Sequence, residues 1–188
     1  MRLASATLET PVGRLLAVVW DGRLCALTFD ADSPRTREHL LARFGTDLFP
    51  SHRDAGGVPS RLRAYFRGEL DALDAVEVSL AGTPFQERVW AELRKIRPGT
   101  TRAYADVAAA IGEPKALRAV GMAASQNPAV IVVPCHRVLA RDGSLHGFSG
   151  GIERKRWLPS TRGPSSPETV ESRAPGRPPG TSPRRNPT

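Results

Sequence analysis

Asn127-Pro-Ala-Val-Ile-Val-Val-Pro-Cys-His-Arg-Val-Leu-Ala-Arg-Asp-Gly-Ser-Leu-His-Gly-Phe-Ser-Gly-Gly151 is the stretch on which the reading of this chain turns. Its apolar run Ala129 to Val133 is mostly β-branched and continuous, which predicts a strand buried on both faces. Pro134 ends that run, so Cys135, His136 and Arg137 fall where buried structure gives way to irregular backbone. Such positions commonly carry chemistry. The glycine-rich Gly147-Phe148-Ser149-Gly150-Gly151 that follows can bend closely over a ligand.

Upstream, Thr83-Pro84-Phe85-Gln86 reads as a helix start, with Thr83 as N-cap, Pro84 at the first position and Gln86 completing a capping box. Phe85, Val89, Leu93 and Ile96 then share one face, and Pro98-Gly99 stops the helix. A second helix is expected from about Tyr104 to Ile111, ended by Gly112, and a third from about Lys115 to Gln126. Two short helices joined by a tight Gly-containing turn make a helix-turn-helix candidate, although any helical hairpin gives the same signal. The third helix sets Ala116, Ala119, Gly121, Ala123 and Ala124 around one cation, Arg118. Small side chains permit close approach to another surface, and ordinary packing in an Ala-rich protein explains them equally.

Residues 3–30 read as an antiparallel hairpin, Leu15 to Trp20 and Leu24 to Phe29 joined by Asp21-Gly22. Cys25 alternates with Leu27 and Phe29 and is expected to be a small buried hydrophobe. Arg35 to Phe44 is expected to be helical and to stop at Gly45. Ser60 is the expected cap of a helix running to Gly68, and Ala75 to Leu80 alternates as a strand. Gly82 marks a boundary.

The chain has 188 residues and a formal charge of +8, and all but three of its 27 basic residues are Arg. Arginine suits phosphate contact, and skewed genomic base content produces the same bias. No segment is long and apolar enough to span a membrane, and the N-terminus lacks a signal-peptide core; a soluble, cytoplasmic protein is the expectation. Two cysteines cannot build a disulfide framework, and a single bridge between them stays open. Cys25, His39 and His52 have no metal-ligand spacing, so no metal is expected.

Pro134-Cys135-His136-Arg137-Val138, with Asn127-Pro128 before it and Phe148 to Gly151 and Lys155 after it, resembles the O6-alkylguanine-DNA alkyltransferase family. The likeness extends over about Thr83 to Trp157, where several separated motifs agree in order and spacing. It implies an α+β protein: a small N-terminal ribonuclease H-like α/β domain (1–81), then a mainly helical domain with a helix-turn-helix (82–163); composition, not the resemblance, sets off a basic Pro-rich tail (164–188). It implies direct, irreversible transfer of an alkyl group from guanine O6, or thymine O4, in double-stranded DNA to Cys135, by a single-turnover monomer that needs no cofactor. In the resemblance Cys135 is the nucleophile, His136 takes its proton through a water, and Tyr104 donates to the departing base. Asn127 ties the recognition helix to the cysteine turn, while Val138 and Ser149 contact the base and Lys155 lies beside the pocket. Ala119 and Gly121 fall on the helix that enters the minor groove, and Arg118 replaces the flipped nucleotide in the base stack.

Independent of the resemblance, a thiolate is the reactive form of cysteine, and an adjacent histidine is a candidate base. An inert buried cysteine beside a bonded histidine is the ordinary alternative. Two other activities are consistent with the residues: non-catalytic binding of alkylated DNA, and a thiol hydrolase that turns over an activated ester.

The pattern breaks after Lys155-Arg156-Trp157-Leu158. Where the family carries a glutamate that orients the histidine, this chain has Arg162, and Glu153 is the substitute candidate. From Pro159 onward there are five Arg against two Glu, and Pro164 to Thr188 holds seven Pro, a composition expected to be disordered. Loss of pattern and foldable composition at one point suggests a changed reading frame near Leu158. Sequencing the gene in independent isolates tests this, and an intact frame throughout rejects it.

Overall fold

The computed structural model describes residues 3–29, 31, 34–46, 49–141 and 150–158. The tail from residue 159, Arg162, Ser149 and the segment before it lie outside that set.

The first half is a three-stranded antiparallel sheet in the order β1 (Leu3–Leu8), β2 (Leu15–Trp20), β3 (Arg23–Thr28). The expected hairpin is β2–β3, and β1 adds a strand to it. Asp21 (φ 47°) and Gly22 (φ 81°) close the hairpin in the left-handed region that Asp-Gly favours. A register shift between Val18 and Val19 twists β2 against β3. Helix α1 (Pro34–Phe44) covers one face through Leu40 against Val18 and Ala26, with Phe44 edge-on to Trp20 at 6.0 Å. Helix α2 (Val58–Phe66) packs on the other face through Val58, Leu62 and Tyr65.

Two sequence expectations fail here. The α2 helix starts two residues before Ser60, whose N–H and hydroxyl both donate to Asp54, so aspartate satisfies the first turn. Residues 75–80 are not a strand. They touch β3 at a single parallel bridge, Leu24 to Val78, through Leu24 N to Glu77 O and Ser79 N to Leu24 O, both 2.8 Å.

In the second half α3 (Pro84–Arg94) has the expected capping box, with Gln86 N donating to Thr83 Oγ1 and Thr83 N to Gln86 Oε1. A short β4 (Arg102–Ala103) leads into α4 (Tyr104–Ala110) and then α5 (Leu117–Ser125). Trp90 Nε1 donates to Ala123 O at 2.9 Å, fixing α5 on α3. Gly82 lies flat against the Trp90 ring, where a Cβ has no room. The chain ends its described course with β5 (Val138–Leu139), parallel to β4, and α6 (Ile152–Trp157). One apolar cluster joins the halves, from Leu15 and Leu62 to Val89, Val120 and Val133. Among the described residues no helix is long and apolar enough to cross a membrane.

Candidate active site

The run Ala129 to Val133 is fully buried, as expected, but it is a tight turn and not a strand. Leu27 N donates to Pro128 O and Val130 N to Leu27 O, which seats Ala129 on the outer edge of β3. The backbone then reverses: Val132 N bonds Val130 O, and Val133 N bonds Ala129 O, both at 2.9 Å. Ile131 takes φ +73°, an outlier for a β-branched residue. Periodicity cannot separate such a turn from a strand, because both bury every side chain.

Asn127 supplies what holds the reversal together. Its Oδ1 accepts from Ala129 N at 2.9 Å, and its Nδ2 donates to Val133 O at 2.8 Å and to Cys135 Sγ at 3.1 Å. This buried amide closes the turn and at the same time points a donor at the sulfur. Cys135 to Arg137 form one 3₁₀ turn, and β5 follows at once. Its parallel pairing, Arg102 with Val138 and Ala103 with Leu139, brings the start of α4, and hence Tyr104, beside the cysteine.

Cys135 is 5% exposed. Burial pushes its thiol above the ordinary value, while the Asn127 bond and the Lys155 charge pull it down. Lys155 is completely buried, with Nζ donating to Val138 O at 2.9 Å, so it is not a solvated surface charge. Desolvation lowers the Lys155 ammonium and the charge on Cys135 raises it. A buried ammonium beside a buried thiol favours the thiolate, because each ion reduces the cost of burying the other. His136 has no exposure; burial first, then Arg137 and Lys155, hold its imidazole far below the usual histidine range. It is therefore neutral at physiological pH, and it gains a proton only where a negative charge such as the Cys135 thiolate forms beside it. Tyr104 is half-buried, and burial raises its phenol, reinforced by Cys135, so the hydroxyl stays a donor.

Of the residues the sequence singled out, Cys135, His136, Asn127, Val138, Lys155 and Tyr104 gather here. Val138 O, expected to meet the base, is engaged by Lys155. Ser149 lies outside the described residues. Glu153 is exposed in the first turn of α6, while His136 is fully buried. On α5 the small residues divide: Ala123 and Ala124 are buried against α3, whereas Arg118 and Ala119 are exposed beside Leu117 (45%) and Met122 (60%). Gly121 lies near the Tyr104 ring, where a Cβ would meet Cε1 at 4.0 Å. Both cysteines are free thiols, so the open question of a bridge is answered. Among the described residues no group of three His, Cys, Asp or Glu side chains could hold a metal.

Two contributors escaped sequence reasoning. Arg137 is buried, and its Nη1 donates to Ile96 O at 2.6 Å, pinning the cysteine turn to the end of α3. The fully buried Tyr65 hydroxyl of α2 feels the same guanidinium, which partly offsets the effect of burial on its phenol. Arg154 is the second, its Nε donating to Val12 O at 2.7 Å. Neither bond has a sequence signature, since each ends on a backbone carbonyl far along the chain. A cleft of about 500 Å³ between β3, α1 and the α3–α5 pair includes Asn127 in its wall but not Cys135, so it is not the reaction site.

Residues 84–161 match the family model described as "6-O-methylguanine DNA methyltransferase, DNA binding domain". A methylated-DNA–protein-cysteine methyltransferase of Mycolicibacterium paratuberculosis is 46% identical over 164 residues, covering 87% of this chain and 94% of that one. The Salmonella typhimurium protein of the same name is 40% identical over 161 residues, 84% of this chain and 94% of that one. The crystal structure of Mycobacterium tuberculosis O6-methylguanine methyltransferase superposes with a TM-score of 0.71 at 38% identity, covering 87% of this chain and 96% of that one. A structure of the M. tuberculosis protein in complex with DNA gives 0.69 at 40% identity, covering 82% and 89%. With the cysteine turn, its asparagine clamp and its lysine in place, and relatives matching nearly end to end, the chain belongs to the 6-O-methylguanine DNA methyltransferase family, the methylated-DNA–protein-cysteine methyltransferases.

Proposed function

We propose that this chain repairs DNA by moving the alkyl group of O6-alkylguanine, and of O4-alkylthymine, onto Cys135 Sγ. The observation that carries the assignment is a buried thiol receiving the Asn127 amide at 3.1 Å while facing the charge of a fully buried lysine. The sulfur attacks the alkyl carbon, the carbon–oxygen bond breaks, and the electron pair leaves with the base. Neutral His136 takes the thiol proton through a water as the thiolate forms beside it, the new negative charge offsetting the burial and the cations that otherwise keep the imidazole unprotonated, and Tyr104 donates to the departing guanine so that it leaves near neutrality. Lys155 steadies the thiolate before attack. The product is a thioether that none of these groups can cleave, so each molecule acts once and needs no cofactor.

DNA binding is supported by the exposed face of α5, where the cation Arg118 stands beside Leu117 and Met122 and the small Ala119 permits close approach to a groove. Gly121 leaves the Tyr104 side of that helix open. In this reading Arg118 fills the stack when the target base turns out, and the partner is a duplex bearing an alkylated base, met by a monomer. Val138 O and Ser149 read the flipped base. The organisation is an α/β half of the ribonuclease H type (1–81), a helix-turn-helix transfer half (82–163) and a basic Pro-rich tail (164–188).

Intact mass after incubation with a duplex containing one O6-methylguanine tests the assignment. The native protein gains one methyl and Cys135→Ala gains none. No gain by the native protein, with selective retention of the alkylated duplex, rejects transfer in favour of lesion binding; repeated hydrolysis of an activated ester rejects both.

A further inference from the structure

The helix that carries Lys155 is short. At its two ends Lys155 N bonds Gly151 O at 3.2 Å and Leu158 N bonds Arg154 O at 2.9 Å, and backbone bonds along a helix do not fix its rotation against its neighbours. The neighbouring side chain does more. Arg154 Nε donates to Val12 O at 2.7 Å and Nη1 to Gly150 O at 2.8 Å, and the guanidinium carbon stands 4.7 Å from the centre of the Phe29 ring. Val12 lies in the β1–β2 turn and Phe29 just past β3, so this socket belongs to the N-terminal sheet.

The turn that forms the socket is closed by its own hydrogen bonds. Thr10 N bonds Gly13 O, Gly13 N bonds Thr10 O at 2.9 Å, and Thr10 Oγ1 donates to Gly13 O at 2.6 Å. Gly13 sits at φ +108°, and a Cβ there would come within 3.3 Å of Arg154 Nη2. Neighbouring residues on a helix point about 100° apart. Holding Arg154 in the sheet therefore fixes the direction in which Lys155 leaves α6.

We propose that Arg154 is a positioning residue through which the N-terminal sheet sets Lys155 against Cys135. The inference rests on Cys135 being the acceptor, and it gives the motif-poor first half a part in the reaction. Tyr104 on α4 and His136 in the turn also stand near the thiol, with Arg137 beside His136, and all are unchanged in every variant below.

The test uses the full chain, Arg154→Gln, Gly13→Ala and the double variant. Capture of Cys135 by iodoacetamide is followed against pH by peptide mass, and methyl transfer is timed on an O6-methylguanine duplex. Expected for Arg154→Gln is a capture midpoint displaced to higher pH and transfer slowed about tenfold, the equivalent of one pKa unit in thiolate population. Duplex affinity should stay within about twofold, since α5 is untouched. Gly13→Ala also strains a backbone at φ +108°, so its fall in melting temperature is read separately; it should slow transfer alone and slow it no further in Arg154→Gln, because its route to Lys155 runs through the same contact. A wild-type capture profile in Arg154→Gln overturns the proposal, whether or not its melting temperature falls, and so do additive effects of the two substitutions. A displaced capture profile in a chain that never transfers methyl would keep the positioning role and reject the transferase assignment instead.

Discussion

The two cysteines are both buried and both free, yet their surroundings differ in kind. Cys25 lies inside β3 with no exposure, its sulfur against Arg23 O at 3.4 Å, and burial lifts its pKa more strongly than the Arg43 charge lowers it. Cys135 is lifted by burial too, but it stands in a 3₁₀ turn with an amide donor at 3.1 Å and a buried ammonium facing it. Burial is thus common to both sites and explains neither reactivity. What separates them is a set of polar groups that would be costly to bury without a negative charge to stabilise.

The sharpest way to break this contrast is to exchange the two sites. Cys135→Ala should abolish methyl transfer, while Cys25→Ala should transfer at the native rate and lose about 1 kcal/mol of stability from the small cavity. Intact mass and urea unfolding read the two effects. Residual transfer in Cys135→Ala would move the nucleophile elsewhere.

Lys155→Met keeps most of the buried stem and removes the charge. Transfer should slow by at least about tenfold and the pH at which iodoacetamide captures Cys135 should rise, because one pKa unit is a tenfold change in thiolate. Equal rates in both proteins would leave the asparagine as the sole source of the difference.

Asn127→Ala removes three buried hydrogen bonds at once, from Ala129 N and to Val133 O and Cys135 Sγ. We expect a loss of about 2–3 kcal/mol, seen in urea unfolding, together with slower transfer, since the stranded groups pay their desolvation. Slower transfer at full stability would assign the amide to the sulfur alone.

The smallest expected effect is on acid stability. His136 is held neutral in the folded chain, so unfolding lets it take a proton that the native state refuses. Its folded pKa is depressed, so the stability it contributes is present above about 6.5 and is lost as pH falls below that value. A melting temperature that falls between pH 7 and 5, and falls less in His136→Gln, is the expected record.

Much of this arrangement could be read along the chain because the cues were local. The capping box of α3, the Asp-Gly turn of the hairpin and the Gly112 stop each depend on residues within four positions of one another. The Ala129–Val133 run misled because burial on all sides is written identically in a strand and in a turn held by Asn127. Residues 75–80 misled for a related reason: their alternation is real, but β3 offers them only one bridge before the Asn127 turn takes the rest of its edge. Arg137 and Arg154 were invisible, as their bonds reach carbonyls 41 and 142 residues away.

That shared edge of β3 also orders events during folding. Pro128 and Val130 bond Leu27 across about 100 residues, and closing so long a loop costs entropy that is recovered only once the sheet exists. The clamp's own bonds are local, over two, six and eight residues, but its seat on β3 exists only once that long loop has closed. Until it closes, Cys135 is an ordinary thiol on an unfinished chain; a protein that spends itself in one reaction thereby acquires its reactive centre only when the scaffold that directs it is already in place.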